Sequence, residues 1–274
     1  MKNYPVVQFG GAGTPLHFAH SNGFPPATFS ELLDELTAVG RVFALEQRPL
    51  WQASSPQRVG WWDMADDLAD FLQQQERPLV GMGHSLGAVL TLRVAMRHPE
   101  WFRAIVLIDP VFLPSKVLWQ WRLAVLLRQR KRHPLYRATV RRQQVFPNQA
   151  VMFERFRKAR PFAGWSDQAV QNYVNAIALP LPDGQVGLRY PAAWEGHIYT
   201  TTPFDLWYAV PRVNVPILLI YGEKSDAFFD ESVERFRRLQ PNAEMHCITG
   251  ASHLVPMEFP HQCAEIIKAF LQKH

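Results

Sequence analysis

The chain has 274 residues, a formal net charge of +5 and 47% hydrophobic residues, enough apolar material for a packed core, which excludes a disordered chain. Its two cysteines, Cys247 and Cys263, cannot form a disulfide framework and stand in no metal-like spacing with histidines, so neither zinc nor haem is expected. No run reaches the about 18 apolar residues of a membrane span and no charged-then-apolar leader opens the chain, so we expect a cytoplasmic protein without stable membrane insertion.

Short β-type runs alternate with helix-type runs along most of the chain. The predicted strands are 6–9, 16–19, 42–45, 79–82, 105–108, 217–221 and 244–248. The predicted helices, with apolar residues three or four positions apart, are 29–38, 61–74, 88–97, 230–239 and 264–271. This alternation is typical of an α/β domain whose mostly parallel sheet is covered by helices on both faces.

The alternation stops over residues 114–211, where strand signals give way to helical, arginine-rich and proline-rich stretches. Ligands bind at the carboxyl edge of an open α/β sheet. We therefore interpret this block as a mainly helical lid, inserted into a core made of 1–113 and 212–274, that decides substrate choice. Within it, 180–190 predicts a turn followed by a short extended arm.

Basic residues are concentrated in this predicted lid, with 13 Lys or Arg in 116–160 against one acid, Glu154. Such a stripe could meet an anionic substrate, a membrane surface or nucleic acid. Apolar residues at helical spacing (Leu118, Trp121 and Val125) favour the solvated face of an ordinary amphipathic helix. Nothing around the run resembles a nucleic-acid module, and a basic stripe alone gives only sequence-blind affinity, so no nucleic-acid partner is expected.

The segment Gly83-His84-Ser85-Leu86-Gly87 lies between a predicted strand and a predicted helix. A serine at such a sharp turn is held in a strained backbone conformation with its hydroxyl projecting from the sheet, and the flanking glycines avoid clashes. The G-x-S-x-G pattern also occurs by chance in plain glycine-rich turns, so its interpretation depends on partners elsewhere. With those partners, we interpret Ser85 as a nucleophile on a nucleophile elbow.

A serine nucleophile needs a histidine base and a carboxylate that orients the histidine. Asp226 follows the predicted strand 217–221, and His253 follows the next strand, so the chain order is Ser, Asp, His. We predict Asp226 as the carboxylate and His253 as the base. Asp109, at the end of an earlier strand, is the rival carboxylate, although an anchoring role in its turn is favoured, and Glu223 would require a different loop.

The oxyanion of acyl transfer needs two backbone N–H donors, one after the nucleophile and one from a glycine-bearing turn near the N-terminus. Leu86 is predicted to supply the first. For the second, in the loop after the second predicted strand, Asn22 is the first choice and Phe24 the second. We expect His20 to brace this loop and His84 to pack beside the elbow.

Together these motifs resemble the α/β-hydrolase superfamily, and within it the small, lid-bearing serine enzymes. The resemblance runs over nearly the whole chain outside the lid. It implies an eight-stranded sheet with one antiparallel strand near its start, a lid inserted after the sixth strand, and no bound cofactor. Serine at the elbow argues against the dehalogenase and epoxide hydrolase members, which use aspartate. Many relatives show His-Gly directly in the oxyanion loop, where this chain shows His20-Ser21-Asn22-Gly23.

We therefore predict a hydrolase that cleaves a carboxylic ester of a small molecule through an acyl-enzyme on Ser85. One alternative is a thioesterase or carbon–carbon bond hydrolase whose anionic substrate is attracted by the arginine-rich lid. Another is a relative that binds a ligand without turning it over. The expected partner is a small acyl substrate, and a homodimer is left open.

Overall fold

The computed structural model describes residues 2–52 and 59–274. Its strands are β1 (Val6–Gly10), β2 (Pro15–Ala19), β3 (Arg41–Leu45), β4 (Leu79–His84), β5 (Phe102–Ile108), β6 (Val145–Phe146), β7 (Ala178–Pro180), β8 (Val186–Leu188), β9 (Ile217–Gly222) and β10 (Glu244–Ile248). Its α-helices are α1 (Ser30–Leu36), α2 (Trp61–Leu72), α3 (Leu86–Arg97), α4 (Ser115–Leu126), α5 (Pro134–Arg141), α6 (Gln149–Arg157), α7 (Asp167–Ile177), α8 (Ala192–Thr200), α9 (Asp230–Leu239), α10 (Val255–Glu258) and α11 (Pro260–Leu271). Within these ranges, no helix combines the length and the apolar content needed to cross a bilayer.

The main sheet has seven strands in the order β1-β3-β2-β4-β5-β9-β10. β1 runs antiparallel to β3, and the other neighbours are parallel. This confirms the predicted α/β-hydrolase fold with its early antiparallel strand. The expected count of eight strands is corrected to seven for the described residues, because β1 is a half-buried edge strand and residues 2–5 before it form no strand.

The central strands are apolar on both faces because helices cover both. The first five residues of β4 and the last five of β5 are apolar or glycine and are buried, as expected for parallel strands inside a sheet. One face packs against α2, α3 and α9, through residues such as Leu68 and Phe236. The other packs against α1 and α11, through residues such as Leu32 and Ile267. The carboxyl ends of the strands stay open for loops.

Between β5 and β9 the chain leaves the main sheet and forms α4 to α8 and a separate three-stranded sheet of order β6-β8-β7. We call residues 114–211 the insert. The expectation that strands vanish here is wrong in detail, since β7 and β8 form an antiparallel hairpin closed by a bond from Leu181 N–H to the Gln185 carbonyl. The predicted turn and extended arm correspond to this hairpin. The action of the insert as a lid stays a prediction.

Candidate active site

The turn from β4 into α3 has the backbone conformation predicted for the elbow. Ser85 has φ 56° and ψ −118°, in a region that a side-chain-bearing residue occupies only at a cost. Its N–H donates to the Ile108 carbonyl at 3.0 Å. A Cβ on Gly87 would lie 1.9 Å from the Ala19 carbonyl oxygen, and one on Gly83 would lie 2.5 Å from the Gly87 carbonyl carbon. The motif glycines therefore let α3 start directly against β2 and β4.

Ser85 and His253 meet at the carboxyl edge of the sheet. The Ser85 Oγ lies 2.9 Å from the His253 Nε2, although 168 positions separate the two residues. His253 stands in the loop after β10, and its carbonyl lies 2.8 Å from the His84 Nε2. The N–H and the hydroxyl of the neighbouring Ser252 both donate to the Glu258 carboxylate, each at 2.7 Å. The loop that carries the imidazole is thus held at several points.

The carboxylate at the other ring nitrogen is Asp109, which corrects the prediction of Asp226. The His253 Nδ1 lies 2.6 Å from the Asp109 Oδ2. Asp109 is fully buried and has φ 41°, so its strained backbone turns the side chain inward from the end of β5. Its carboxylate also accepts hydrogen bonds from the Gly222 N–H at 2.9 Å and the Ser225 hydroxyl at 2.5 Å.

Asp226 stands in the loop after β9, where its side chain is exposed and forms neither a hydrogen bond nor an ion pair with any described residue. Glu223, the alternative that required a different loop, accepts a hydrogen bond from the Gly250 N–H at 2.8 Å and so braces the histidine loop. Both aspartates lie near His253 because their strands are neighbours in the sheet. β5 and β9 are paired neighbours with Ile108 opposite Ile220, so loops from both strands approach His253.

Opposing influences act on the pKa of His253. Burial lowers it, but the hydrogen bond to Asp109 and the charges of Asp109, Asp226 and Glu258 outweigh burial and raise the pKa above its ordinary value of 6.5. An Nδ1–H that donates to the Asp109 carboxylate leaves the Nε2 lone pair facing the Ser85 hydroxyl. That tautomer is the one able to accept the hydroxyl proton.

His84 packs beside the elbow, as predicted from the sequence. Its ring centroid lies 5.0 Å from that of His253. Burial, followed by the neighbouring charge of His253, lowers the pKa of His84 well below its ordinary value, so the ring is neutral. A neutral ring donates from Nε2 to the His253 carbonyl without adding a second positive charge next to the imidazole. The Nδ1 of His84 is buried and has no partner among the described residues.

The predicted oxyanion loop lies against the elbow, because an added Cβ on Gly87 would also meet the His20 carbonyl oxygen at 2.7 Å. The Leu86 N–H is in the first turn of α3, where a helix has no acceptor of its own. The Phe24 N–H is directed to the Ser21 carbonyl at 3.3 Å. The Asn22 N–H bonds to no atom in the ranges that the structure covers. Of the two candidate loop donors, Asn22 is therefore the freer.

His20 braces this loop, as expected. Its Nε2 accepts from the Gln47 N–H at 2.9 Å, its Nδ1 lies 2.9 Å from the Ser21 carbonyl, and the Gln47 side chain donates to the His20 carbonyl at 2.5 Å. Burial lowers the pKa of His20 to about 4. The ring is thus neutral and has both nitrogens in use, so it has no free position for catalysis.

A buried polar cluster that the sequence analysis missed joins the insert to the oxyanion loop. Glu195 of α8 is buried, and its Oε2 lies 2.5 Å from the Arg142 Nη2. The Glu195 carbonyl accepts from the Asn22 side-chain amide at 3.0 Å, and the Tyr190 hydroxyl donates to the Asn22 Oδ1 at 3.0 Å. Gly23 has φ +81°, and a Cβ there would lie 2.9 Å from the Glu195 Cδ. In the sequence, the one sign of this cluster is that Glu195 is the only carboxylate among the mostly apolar residues of α8.

Metal ligands do not gather at this edge within the described residues. The one group of three or more carboxylate, imidazole or thiol ligands that these residues bring within 4.8 Å of one another is Glu35, His261 and Glu265, on α1 and α11. Lys268 also contacts both of these glutamates, at 3.0 Å each, so the carboxylates already have a cationic partner.

Comparison with known proteins gives the family. The sequence pattern described as "Alpha/beta hydrolase family" matches residues 16–266. A 2-(acetamidomethylene)succinate hydrolase of Mesorhizobium japonicum is 25% identical over 272 residues, which cover 95% of this chain and 89% of that protein. A type I acyl-CoA thioesterase of Penicillium brevicompactum is 33% identical over 110 residues, but these are 34% of this chain and only 25% of the thioesterase.

Solved structures agree on the fold. The crystal structure of E-2-(acetamidomethylene)succinate hydrolase superposes with a TM-score of 0.77 at 22% identity, covering 97% of this chain and 94% of that one. An esterase of Mycobacterium tuberculosis superposes with a TM-score of 0.73 at 21% identity, covering 97% and 88%. Each of these two superpositions covers 97% of this chain.

Proposed function

Because this chain belongs to the alpha/beta hydrolase family, we propose that it cleaves a carboxylic ester of a small molecule through an acyl-enzyme on Ser85. The observation that carries the proposal is the chain of contacts Ser85 Oγ to His253 Nε2 at 2.9 Å and His253 Nδ1 to Asp109 Oδ2 at 2.6 Å. This is the arrangement in which a hydroxyl loses its proton to an oriented imidazole.

In the first half of the reaction, the Ser85 oxygen bonds to the ester carbonyl carbon while its proton moves to the His253 Nε2. Asp109 keeps the Nδ1–H in place and stabilises the imidazolium that forms. The N–H groups of Leu86 and Asn22 hold the oxyanion. The carbon–oxygen bond to the alcohol then breaks, and the alcohol leaves with the proton from His253.

In the second half, water gives a proton to His253 and attacks the acyl carbon. The bond to the Ser85 oxygen breaks, the proton returns to that oxygen, and the carboxylic acid leaves. The pKa of His253, raised by the hydrogen bond and charge of Asp109 against the effect of burial, supports both halves, because Asp109 stabilises the imidazolium that forms before the proton is returned.

The test is a p-nitrophenyl acetate assay combined with labelling by a fluorophosphonate. Wild-type protein should release a burst of p-nitrophenol and carry the label on Ser85. Ser85→Ala should lose about 10⁴-fold to 10⁶-fold in kcat and take up no label. Ser115→Ala is the matched control, since Ser115 is an exposed serine at the start of α4 and should label like wild type. Folded wild-type protein that stays unlabelled at Ser85 would refute the proposal.

A second candidate is hydrolysis of a thioester or a carbon–carbon bond in an anionic substrate. It is favoured by the basic excess of the insert, 13 Lys or Arg against one acid in 116–160, and by the thioesterase and the succinate-derivative hydrolase among the relatives. A KM that rises with salt for an anionic thioester, but not for a neutral ester, would favour this candidate.

A further inference from the structure

Helix α4 has apolar side chains on two opposite sides. Leu118, Trp121 and Val125 face the protein, and Trp121 is its one buried residue, with its indole N–H donating to the Thr202 carbonyl at 3.0 Å. This side is the amphipathic face predicted from the sequence. The other side should then be polar, as in an ordinary surface helix.

The solvent side is instead apolar. We call its residues the outer stripe: Trp119, Leu123, Leu126 and Leu127. Trp119, Leu123 and Leu126 are four and three positions apart, which puts them on one face of α4, and Leu127 follows directly at the end of the helix. The four side chains are 68%, 56%, 78% and 55% exposed. Large apolar side chains gathered on one exposed face mark an interaction surface. Leu135 and Val140 of the nearby α5 are exposed as well.

Exposed cations are frequent in α4 and in the segment that follows it. The exposed ones are Lys116, Arg122, Arg128, Arg130, Lys131, Arg132, Arg137 and Arg141. In the part of the chain that the structure describes, none of these eight forms an ion pair. Arg122 lies over the Trp119 ring at 5.6 Å, which keeps a positive charge beside the most exposed aromatic ring. Residues 115–142 contain no Asp, Glu or Asn.

From this combination we infer that α4 and the basic segment after it dock on an anionic lipid surface, with the outer stripe inserted among the headgroups. A helix that lies in a membrane interface has Trp and Leu on one face and Lys and Arg around it. Protein interfaces carry a rim of both donors and acceptors, whereas residues 115–142 offer cations without carboxylates. Asp205, which lines the same groove as Trp119 and Arg122, is already paired with Arg93 at 3.7 Å. A bilayer with anionic headgroups presents the matching uniform charge.

This inference does not depend on the proposed ester hydrolysis, because it concerns binding alone. The occupied surface is the outward side of the insert, so docking leaves Ser85 and its partners unchanged. A hydrolase held in this way would receive acyl substrates that partition into lipid.

The test measures co-sedimentation of the full chain with vesicles of phosphatidylcholine alone, or of phosphatidylcholine mixed with phosphatidylglycerol at about three to one. We expect binding to the mixed vesicles at low salt, weaker binding at high salt, and little binding to phosphatidylcholine alone. The variant Leu123→Ser/Leu126→Ser should lose at least about tenfold in partition coefficient. Leu179→Ser, at an exposed leucine of β7, is the matched control and should bind like wild type.

The cations are tested with Arg130→Gln, which should weaken binding to the mixed vesicles about fivefold. Its control is Arg77→Gln, an exposed arginine before the amino end of β4, at the opposite edge of the sheet from the insert. Equal losses in the two variants would show that net charge alone acts, and would overturn the inference.

Three other outcomes would also overturn it. The first is wild-type protein that does not sediment with the mixed vesicles at low salt. The second is a loss with Arg130→Gln and none with Leu123→Ser/Leu126→Ser, which would mean adsorption without insertion of the stripe. The third is binding of the stripe to protein instead of lipid. A homodimer that the leucine substitutions dissociate would assign the stripe to a second copy of this chain, and binding to poly-glutamate that competes with vesicles would assign it to an acidic protein.

Discussion

The loops after β5 and β9 each place an aspartate near His253, yet only one is its partner. Asp109 is fully buried, has a positive φ, and binds His253, Ser225 and the Gly222 N–H. Asp226 is exposed and acts on His253 only through its charge. Proximity to the histidine therefore follows from strand order, whereas the hydrogen bond to it follows from the backbone conformation of the first loop residue.

The two aspartates should differ most when each carboxylate is neutralised in turn. Asp109→Asn should lower kcat for an activated ester by about a thousandfold to ten-thousandfold, because the imidazole loses the charge that stabilises its protonated form and the acceptor that fixes its tautomer. Steady-state kinetics with p-nitrophenyl acetate measures the loss. A larger loss in Asp226→Asn than in Asp109→Asn would reverse the assignment.

Ser225 links the two loops, since it lies in the β9 loop but binds the Asp109 carboxylate at 2.5 Å. Ser225→Ala should lower kcat/KM by about tenfold or more, because a charge-assisted hydrogen bond is lost. It should also lower the free energy of unfolding by about 1 to 3 kcal/mol. Its oxygen also accepts from the Ala227 and Phe228 N–H groups. Ser225→Thr retains the hydroxyl and should recover most of the activity. Urea denaturation alongside kinetics separates the effects, and a stability loss with unchanged kcat/KM would contradict this role.

The pH dependence of kcat/KM should also depend on Asp109. His253 must be neutral to accept the Ser85 proton, and its pKa is raised above 6.5, so kcat/KM should fall as the pH drops through a midpoint above that value. In Asp109→Asn, loss of the hydrogen bond and charge should move the midpoint to lower pH. The kcat/KM of each protein measured from acid to neutral pH gives the midpoints. An unchanged midpoint in Asp109→Asn would contradict the coupling.

The smallest effect is expected for Asp226→Asn. Its kcat should stay within about threefold of wild type, because an exposed charge acts weakly across solvent. Its pH midpoint should move slightly downward, and this difference should disappear at high salt, whereas the shift in Asp109→Asn should persist. Profiles at two salt concentrations test this. A salt-resistant shift in Asp226→Asn would indicate a direct contact.

Much of the core was predictable because periodicity and burial agree there. The helix predicted at 230–239 is α9 with the same bounds, and the predicted strand 244–248 is β10 with the same bounds. The elbow could be located from the glycines around Ser85, since only residues without side chains allow α3 to approach β2 so closely. Local sequence patterns therefore predict the core elements and the position of the nucleophile.

The choice of carboxylate was not predictable by the same means. Both aspartates follow apolar strands, and the sequence does not show that β5 and β9 are adjacent or that Asp109 adopts a positive φ. The insert was harder still. The pairing of Glu195 with Arg142 depends on how α5 and α8 pack, and the short strands of its small sheet are set by tertiary contacts rather than by propensity.

The bonds from the Asn22 side chain to α8 and to Tyr190 mean that the insert is not a detachable module. If β5 were joined to β9 by a short linker, the amide of Asn22 would lose both partners, and the loop beside the elbow would have to reorganise. A variant without the insert would therefore need a new acceptor and a new donor for the Asn22 side chain. Only then could its rate of hydrolysis be compared with that of the full chain.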